Sequence, residues 1–507
     1  MDFLLLMFGA LPLVGLLQAL LYFANRGRRR NQSETLPPGP RPLPVIGNLL
    51  QLGSPPQRSL SDLASIHGPI MSLKLGSVTI VVISSAPMAQ EILQNHDVSF
   101  SNRHIPESLT SFRHHELGLP WIPVSDPLWR NLRRICNAHL FAPKALDSNQ
   151  HLRRRKIQEL LAHVGKCSET GSSVDIGDAG FMASLNLLGK TILSMDLADP
   201  NSASAKEFKE IVWQIMVEVG KPNWADYFPV LKRMDLQGVK RRMTGYFERT
   251  FDVFDRIISD RLQVREVSGF VRKNDMLDTL LDLSEDKEEG MDPFLMKHLF
   301  WDLFIAGTDS TSRTLEMAMA ELLGNPEKLL KAQAELEEVI GRGNPVEESD
   351  IARLPYLQAT VKETFRMHPP FPLLVPRRAG ATVQVGGYTI PEGTQILVNA
   401  WAIGRDPATW KNPDEFIPER FLGLDIDVKG QNFELLPFGG GRRLCPGLPL
   451  AMRMSHLMLG SLLNSFDWKL EDGVSPETMK MVEKFGVTLQ NAQPLRAVPL
   501  PISRNNL

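Results

Sequence analysis

The longest uncharged run of hydrophobic residues lies at the start of the chain. Residues Phe3–Ala24 contain no Asp, Glu, Lys or Arg. A helix of that length extends roughly 33 Å, about the thickness of the hydrocarbon core of a bilayer. Arg26 and the run Arg28–Arg30 follow, and positive charge after a first span is typical of a chain whose remainder stays cytoplasmic. We therefore predict an uncleaved single-pass anchor with a basic flank over residues 1–30; a cleaved signal peptide would carry its basic residues before the apolar run.

Prolines dominate the next segment, residues 31–48. Five of the eight residues from Pro37 to Pro44 are proline, and this composition favours stiff, extended chain. We predict a proline-rich hinge that holds the body of the protein at a set angle to the membrane. An ordinary linker is the alternative.

The body of the chain shows two hydrophobic periodicities. Strand-like runs occur early, over 70–84, and late, over 383–398 around a Gly-Gly pair. Between them, apolar positions recur at helical spacing, for example over 313–323 and 354–367. Since no Pro-, Gly- or Ser-rich linker divides this part, we predict one large domain over 49–507 that is mainly α with a small β portion.

Composition and charge narrow the classes of function. Of the 507 residues, 43% are hydrophobic and 22% are charged, which is enough to build a large core. Lys and Arg together number 56 and Asp and Glu 58, and this near balance argues against nucleic acid as the main partner. Three cysteines make no disulfide framework, and the absence of a CxxC pair argues against structural zinc. The cysteine usage fits a reducing compartment.

One cysteine, Cys445, has surroundings unlike those of an ordinary buried thiol. Residues 438–447 read FGGGRRLCPG. The glycines let the backbone approach another group closely, and the two arginines favour a thiolate. A tight loop that presents one thiolate at the start of a helix fits either a nucleophile or an axial metal ligand. A phosphate-binding loop is not indicated, because the GxxxxGK[ST] pattern is absent.

This segment resembles the FxxGxRxCxG signature of cytochrome P450 enzymes at every fixed position. The resemblance implies that Cys445 is the axial thiolate ligand of a haem iron, that Phe438 packs beside the sulfur and that Arg443 holds a haem propionate. An axial thiolate pushes electron density onto the iron and favours cleavage of the O–O bond. The implied fold is the cytochrome P450 fold behind one N-terminal transmembrane helix, with 49–507 as the catalytic haem domain.

A second motif of the family, ExxR, is matched by Glu363 and Arg366, and Arg420 matches the third member of its Glu-Arg-Arg triad. The resemblance implies a structural role for this triad in supporting the haem pocket. Taken alone, ExxR is typical of an ordinary i, i+3 salt bridge.

A third motif, WxxxR, is matched by Trp129 and Arg133. The resemblance implies that both side chains reach haem propionates, and Arg377 is a further candidate for that contact. Taken alone, WxxxR is typical of an amphipathic surface helix.

The family's oxygen-activation motif, [AG]GxDT[TS], is matched by AGTDST at residues 306–311. The resemblance implies that Asp309 and the alcohol after it relay protons to dioxygen at the iron. The alcohol position holds Ser310 where the family usually has Thr, and Thr311 follows. Ser keeps a hydroxyl donor and acceptor with a less restricted χ1, so we expect a working relay. Ala306 and Ser310 share one helical face, which is expected to overlie the iron.

Segments that match the substrate-contacting regions of the family are largely apolar, which suits neutral lipophilic ligands. The predicted pocket residues are Phe112, Phe304, Ala306, Phe371, Leu373, Leu374 and Phe485. Longer blocks, such as 205–229 and 435–454, resemble the plant microsomal, terpenoid-oxidising group of the family that includes geraniol 8-hydroxylase. This resemblance implies hydroxylation of a monoterpenol such as geraniol, or of a sesqui- or diterpenoid.

Together these features predict an enzyme of the endoplasmic reticulum membrane with a cytoplasmic catalytic domain. We expect a haem-thiolate monooxygenase that holds haem b and receives electrons from NADPH only through NADPH–cytochrome P450 reductase, because no GxGxxG fingerprint follows a strand. The reductase is expected to dock on a basic face that includes Arg130, Arg134 and Arg442. Three alternatives stay open: a haem-thiolate isomerase or lyase, a hydroxylase of phenolic or alkaloid substrates, and a non-catalytic haem sensor or scaffold.

Overall fold

The computed structural model describes residues 36–198, 203–267, 269–285, 290–479 and 481–502. Helices make up most of this part, as the sequence predicts. The α-helices are α1 (Pro56–His67), α2 (Ala86–Gln90), α3 (Asp97–Phe100), α4 (His114–Leu117), α5 (Pro127–Cys136), α6 (Pro143–Ser148), α7 (Gln150–Thr170), α8 (Ile176–Leu193), α9 (Ala203–Val219), α10 (Trp224–Tyr227), α11 (Val239–Arg265), α12 (Met276–Glu285), α13 (Pro293–Gly324), α14 (Pro326–Val339), α15 (Pro355–Met367), α16 (Ala400–Ile403) and α17 (Leu448–Ser465). Short 3₁₀ or π turns are found at Leu49–Gln51, Glu91–Asn95, Glu107–Leu109, Ser111–Arg113, Asn137–Phe141, Pro229–Met234, Ile351–Arg353, Pro418–Phe421 and Gly441–Arg443.

The β portion is small and consists of short strands. The strands are β1 (Ile70–Leu75), β2 (Val78–Ile83), β3 (Asn102–Arg103), β4 (Val174–Asp175), β5 (Arg377–Arg378), β6 (Val383–Val385), β7 (Tyr388–Ile390), β8 (Gln395–Val398), β9 (Asp467–Leu470), β10 (Glu483–Lys484), β11 (Gln490–Asn491) and β12 (Arg496–Leu500). The largest sheet has the order β1-β2-β8-β5-β3, and only its β2–β8 pair is parallel among the described residues. This sheet joins the early and late strand-like runs that the sequence predicts.

The described part of the predicted hinge lies against strand β1. The N–H of Ser72 donates to the carbonyl of Pro38 at 2.8 Å. Side chains would prevent this approach, because a Cβ at Gly39 would lie 1.9 Å from the carbonyl oxygen of Ser72, and one at Gly47 1.9 Å from that of Lys74. The second half of the hinge is therefore fastened to the sheet, and its boundary with the catalytic domain stays a prediction.

The predicted anchor, residues 1–30, lies outside the described residues, as does the first part of the hinge. Among the helices that the structure does describe, none combines the length and the hydrophobicity needed to cross a membrane. The single-pass anchor stays a prediction.

Helix α13 runs through the centre of the fold. Its start follows the sequence signals: the carboxylate of Asp292 accepts a hydrogen bond from the N–H of Leu295 at 2.7 Å, and Pro293 is in the first turn. The first half of α13 packs in one large hydrophobic cluster and the second half in another. Close packing on α8 requires a small residue at Gly307, where a Cβ would lie 2.8 Å from Leu188. Helix α13 also packs on α17, and it is buried along most of its length.

Candidate active site

Cys445 lies just before the N-terminus of α17, where burial and nearby donors act on the pKa of its thiol in opposite directions. Its N–H donates to the carbonyl of Phe438 at 3.1 Å, which closes the loop ahead of it. Burial raises the pKa of the Cys445 thiol, while backbone N–H groups of Gly447 and Leu448 and the charge of Arg133 act in the opposite direction. The sulfur therefore has two hydrogen-bond donors and one nearby cation that stabilise its anionic form.

The loop before Cys445 is fixed by a close contact at Gly441. This residue has φ +65°, and a Cβ there would lie 2.2 Å from the carbonyl oxygen of Leu93. On the other side of this turn, the N–H of Arg442 donates to a carboxylate oxygen of Asp97 at 3.1 Å. The glycine of the motif is thus required by both its backbone conformation and its packing.

Four arginines from separate segments lie close enough to repel one another. Arg103 in β3 is the direct cross-strand partner of Arg377 in β5, and like charges in that position destabilise a sheet. Burial and the neighbouring cations lower the pKa of Arg443 to about 9, and burial lowers that of Arg377 to about 10. Arg133 belongs to the same group through its repulsion of Arg443. The carboxylate of Asp97 offsets only part of this charge.

The predicted WxxxR residues lie in this arginine cluster. The guanidinium of Arg443 is 5.3 Å from the ring of Trp129 and donates to the carbonyls of Ser101, at 2.9 Å, and Ile122. Arg133 donates to the carbonyl of Leu444, next to the cysteine, at 2.7 Å. The structure therefore brings the four sequence-predicted propionate contacts, Trp129, Arg133, Arg377 and Arg443, together with the thiol-bearing loop.

The predicted Glu-Arg-Arg triad is formed and buried. Glu363 accepts two hydrogen bonds from Arg366, at 2.7 and 2.8 Å, and one from Arg420 at 2.9 Å. Glu363 and Arg366 have no exposed side-chain surface. Beside them, the ring of Phe365 meets that of Phe438 edge-on at 5.2 Å. Helix α15 thus supports the cysteine loop directly.

Helix α13 has one accessible face in its otherwise buried middle. Ala306 is exposed and Ser310 is half-buried, whereas Thr308 and Thr311 are buried. Residues four apart lie on one side of a helix, so Ala306 and Ser310 border the same open space. The hydroxyl of Ser310 donates to the carbonyl of Ala306 at 2.9 Å, and Thr311 lies outside this face.

Asp309 has no exposed surface and lies behind the open face. Its Oδ1 accepts a hydrogen bond from Nε of Arg313 at 3.2 Å. Its Oδ2 accepts one from the hydroxyl of Thr488, a residue close to the C-terminus. Both carboxylate oxygens are therefore held by donors.

Three of the predicted pocket residues pack into the protein core or its margin. Phe304 is 1% exposed, and its ring contacts those of Phe208 and Phe254 at 5.6 and 5.9 Å. Aromatic neighbours thus cover the surface of Phe304, and its place in the substrate pocket stays a prediction. Phe112 packs on helix α11, and Leu373 packs against the cluster beneath strands β1 and β2.

The remaining predicted pocket residues lie on two loops that are joined. Phe371 and Phe485 are both half-buried, and their loops are linked because the N–H of Leu489 donates to the carbonyl of Pro370 at 2.8 Å. Leu374 lies beside the cysteine loop, 3.8 Å from the position of a Cβ at Gly439. Together with Ala306, these side chains stay the candidates for the apolar pocket lining that the sequence predicts.

Comparisons with known proteins agree with this geometry. The profile of the Cytochrome P450 family matches residues 37–495. The chain belongs to the cytochrome P450 family. It is 53% identical over 501 residues to geraniol 8-hydroxylase from Swertia mussotii, with 99% of each chain covered, and 50% identical over 503 residues to drimenol monooxygenase from Persicaria hydropiper, with 99% of this chain and 98% of the relative covered. A solved zebra fish cytochrome P450 with progesterone matches with a TM-score of 0.75 and 25% identity, covering 88% of this chain and 100% of that chain.

Membership confirms the predicted fold and enzyme class. This P450 is a monooxygenase with a haem cofactor, and enzymes of this kind use a reductase as redox partner and act on lipophilic substrates. The residues fit haem: a thiolate suits the iron, and the crowded arginines lack the negative charge that two propionates would supply. The indole N–H of Trp121 is buried without an acceptor in the part of the chain that is described, and the carbonyl of the neighbouring Pro120 accepts hydrogen bonds from Arg103 and Arg443.

Three residues of this site were missed by the sequence motifs. Arg103 joins the arginine cluster only because β3 pairs with β5. Trp121 lies outside the WxxxR pattern, and Thr488 reaches Asp309 from a distant loop. No local pattern marks any of the three, since each depends on contacts between distant segments.

Proposed function

We propose that this cytochrome P450 hydroxylates a lipophilic terpenoid, either a monoterpenol such as geraniol or a sesqui- or diterpenoid. Per turnover, one oxygen atom of O₂ enters a C–H bond, the other leaves as water, and NADPH supplies two electrons through a reductase. The observation that carries the substrate class is the likeness, over nearly the full chain, to relatives named for geraniol and drimenol.

Cys445 is proposed as the axial ligand of the haem iron, with Phe438 beside the sulfur. Trp129 and three arginines of the cluster, Arg133, Arg377 and Arg443, are proposed to hold the propionates. When bound, the haem supplies the activation of dioxygen that no side chain can perform. The charge balance supports this assignment, since the cations crowd one another and, among the described residues, Asp97 is the carboxylate that offsets the charge of Arg377 and Arg443.

Ser310 is proposed as the alcohol that moves protons, with Asp309 as the acid behind it. The hydroxyl of Ser310 borders the open space, while the buried Asp309 is connected to Arg313 on the far side. Thr311 is a poorer candidate because it is buried and lies outside the accessible face that Ala306 and Ser310 share. A positioned acid–alcohol pair typically contributes about a hundredfold or more to a proton transfer.

The position in the cell is part of the proposal. Residues 1–30 would anchor the protein in the endoplasmic reticulum membrane, with the domain on the cytoplasmic side. Exposed Arg130, Arg134 and Arg442 would lie on the docking face for NADPH–cytochrome P450 reductase. Deletion of residues 1–30 should release the protein from membranes and leave the haem spectrum intact; loss of the spectrum would contradict a separate anchor.

A substrate panel tests the proposed function. Microsomes that contain the protein and a reductase are incubated with geraniol, drimenol, a diterpenoid alcohol, a phenol and an alkaloid, with and without NADPH. We expect NADPH-dependent hydroxylation of at least one terpenoid, and none by the Cys445→Ser variant. Turnover of the phenol or alkaloid alone would refute the terpenoid class. Turnover of an organic peroxide without NADPH would favour the isomerase or lyase alternative.

A further inference from the structure

Thr488 is a buried residue whose hydroxyl donates to the carboxylate of Asp309. It lies on the loop between strands β10 and β11. The next residue, Leu489, is anchored through its N–H to the carbonyl of Pro370 at 2.8 Å. Thr488 therefore connects the loop near the proposed substrate pocket to the acid on α13.

The carboxylate of Asp309 depends on this hydroxyl because its other donor is shared. Arg313, which holds Oδ1 of Asp309, also donates to Glu316 at 2.6 Å. Glu316 is fully buried, so one guanidinium serves two buried carboxylates. Without the hydroxyl of Thr488, Oδ2 would lack its donor, and a buried acceptor without a donor is strongly disfavoured.

The residues just before Thr488 are those that a substrate could move. Phe485, Gly486 and Val487 are half-buried, in contrast to Thr488. Their backbone rests on the end of α9, where a Cβ at Gly220 would lie 2.7 Å from the nitrogen of Val487. A shift of this three-residue segment acts directly on the residue that holds the acid.

We propose that Thr488 is a positioning residue that ties the orientation of the Asp309 carboxylate to the substrate-side segment 485–487. The inference rests on the proposed function, in which Asp309 and Ser310 move protons. A substrate that occupies the pocket sets the position of the segment, and through the hydroxyl of Thr488 it sets the position of the carboxylate. Proton delivery is thereby matched to a correctly seated substrate.

The test compares Thr488→Val, which removes the hydroxyl at nearly constant volume, with Thr488→Ser, which keeps it. Thr488→Ala is a second deletion of the hydroxyl in case the valine variant does not fold. Thr389→Val is the matched control, since Thr389 is also buried and its hydroxyl pairs with Gln384 in the separate β6–β7 hairpin. Asp309→Asn reports on the proposed function itself.

The measurements are product and hydrogen peroxide per NADPH consumed, substrate affinity from the spectral shift on binding, and hydrogen exchange of the peptide over 485–492. A hydrogen bond to a charged group is worth about tenfold to a hundredfold in an equilibrium. We therefore expect peroxide per NADPH to rise severalfold in Thr488→Val and Thr488→Ala, with substrate affinity within about twofold of wild type. Hydrogen exchange of the peptide over 485–492 should be faster in both variants that lack the hydroxyl. Thr488→Ser should give the wild-type value in every one of these measurements.

Each contrary outcome has a distinct meaning. If Asp309→Asn uncouples NADPH consumption and both hydroxyl deletions at Thr488 do not, the inference is wrong and the proposed relay stands. If Asp309→Asn stays coupled, the proposed relay fails. Equal uncoupling by Thr488→Ser, or by Thr389→Val, would show that the hydroxyl at position 488 is not the cause, and would overturn the inference.

Discussion

Replacement of Arg366 by Lys tests the buried triad most directly. The guanidinium of Arg366 uses all five of its N–H groups: two go to Glu363, and three go to the carbonyls of Gly404, Pro413 and Glu415 at 2.6, 2.6 and 3.1 Å. The last three belong to the segment that leads to the cysteine loop. Arg366 therefore joins α15 to that segment through a side chain that is itself shielded from solvent.

The size of the effect follows from counting donors. A lysine side chain is shorter and its ammonium group has three N–H donors. At least two of the five hydrogen bonds that Arg366 donates would therefore be lost. Each buried hydrogen bond that is lost costs about 1 to 3 kcal/mol when its acceptor stays unsatisfied. The expected loss in the free energy of unfolding is thus about 2 to 6 kcal/mol, compared with a total of about 5 to 15 kcal/mol for a folded protein.

The assay combines the height of the reduced carbon-monoxide absorption band per polypeptide with the midpoint of thermal unfolding. We expect Arg366→Lys to lower both strongly. Arg353→Lys is the matched control, because Arg353 forms an i, i+3 pair with Asp350 and is 60% exposed, and such surface pairs contribute only about 0 to 1 kcal/mol. A full band and an unchanged midpoint in Arg366→Lys would refute the structural role of the triad.

Three further predictions concern the thiolate, the alcohol and a buried histidine. Cys445→Ser should fold but lose the reduced carbon-monoxide band, because a serine hydroxyl is a poor ligand for iron. Ser310→Ala should release more peroxide per NADPH than wild type, whereas Thr311→Ala should release the same amount. Ser310→Thr should couple NADPH consumption to product as well as wild type or better. If Thr311→Ala released more peroxide and Ser310→Ala did not, Thr311 would be the relay. Burial alone would lower the pKa of His368, but the hydrogen bonds to two glutamates raise it overall. Its stabilising effect is therefore complete below the ordinary pKa of 6.5 and is lost as the pH rises through the raised value, so His368→Gln should differ from wild type in thermal unfolding more at acidic than at alkaline pH.

Local sequence signals predicted the elements that carry the site. The Gly-Gly pair in the late strand-like run, Gly386-Gly387, marked a turn, and the β6–β7 hairpin has its turn there. Such signals work because caps and tight turns depend on a few neighbouring residues. The cysteine loop was predictable for the same reason, since the backbone conformation and packing at Gly441 admit no other residue.

Contacts between distant segments could not be predicted in this way. Arg103 gave no signal, because nothing near it shows that it will face Arg377 across a sheet. The ring of Phe304 was expected at the pocket from the motif beside it, yet a residue two positions from Ala306 lies about 200° around the helix. Its partners, Phe208 and Phe254, come from other helices, so only the packing decides its place.

The same rotation explains why a serine can fill the alcohol position of this P450. Ala306 and Ser310 are four residues apart and share the open face, whereas Thr311 lies about 100° further round and packs in the core. The helix is not free to turn and exchange the two hydroxyls, because its other faces are buried in two hydrophobic clusters. In the proposed relay, the neighbouring threonine would therefore not replace the serine, and the order that a stiffer threonine χ1 would bring would have to come from other contacts. In this structure the hydroxyl of Ser310 is held by the carbonyl of Ala306, and the acid beside it by Arg313 and Thr488, so the order that the side chain lacks is supplied by its hydrogen bonds.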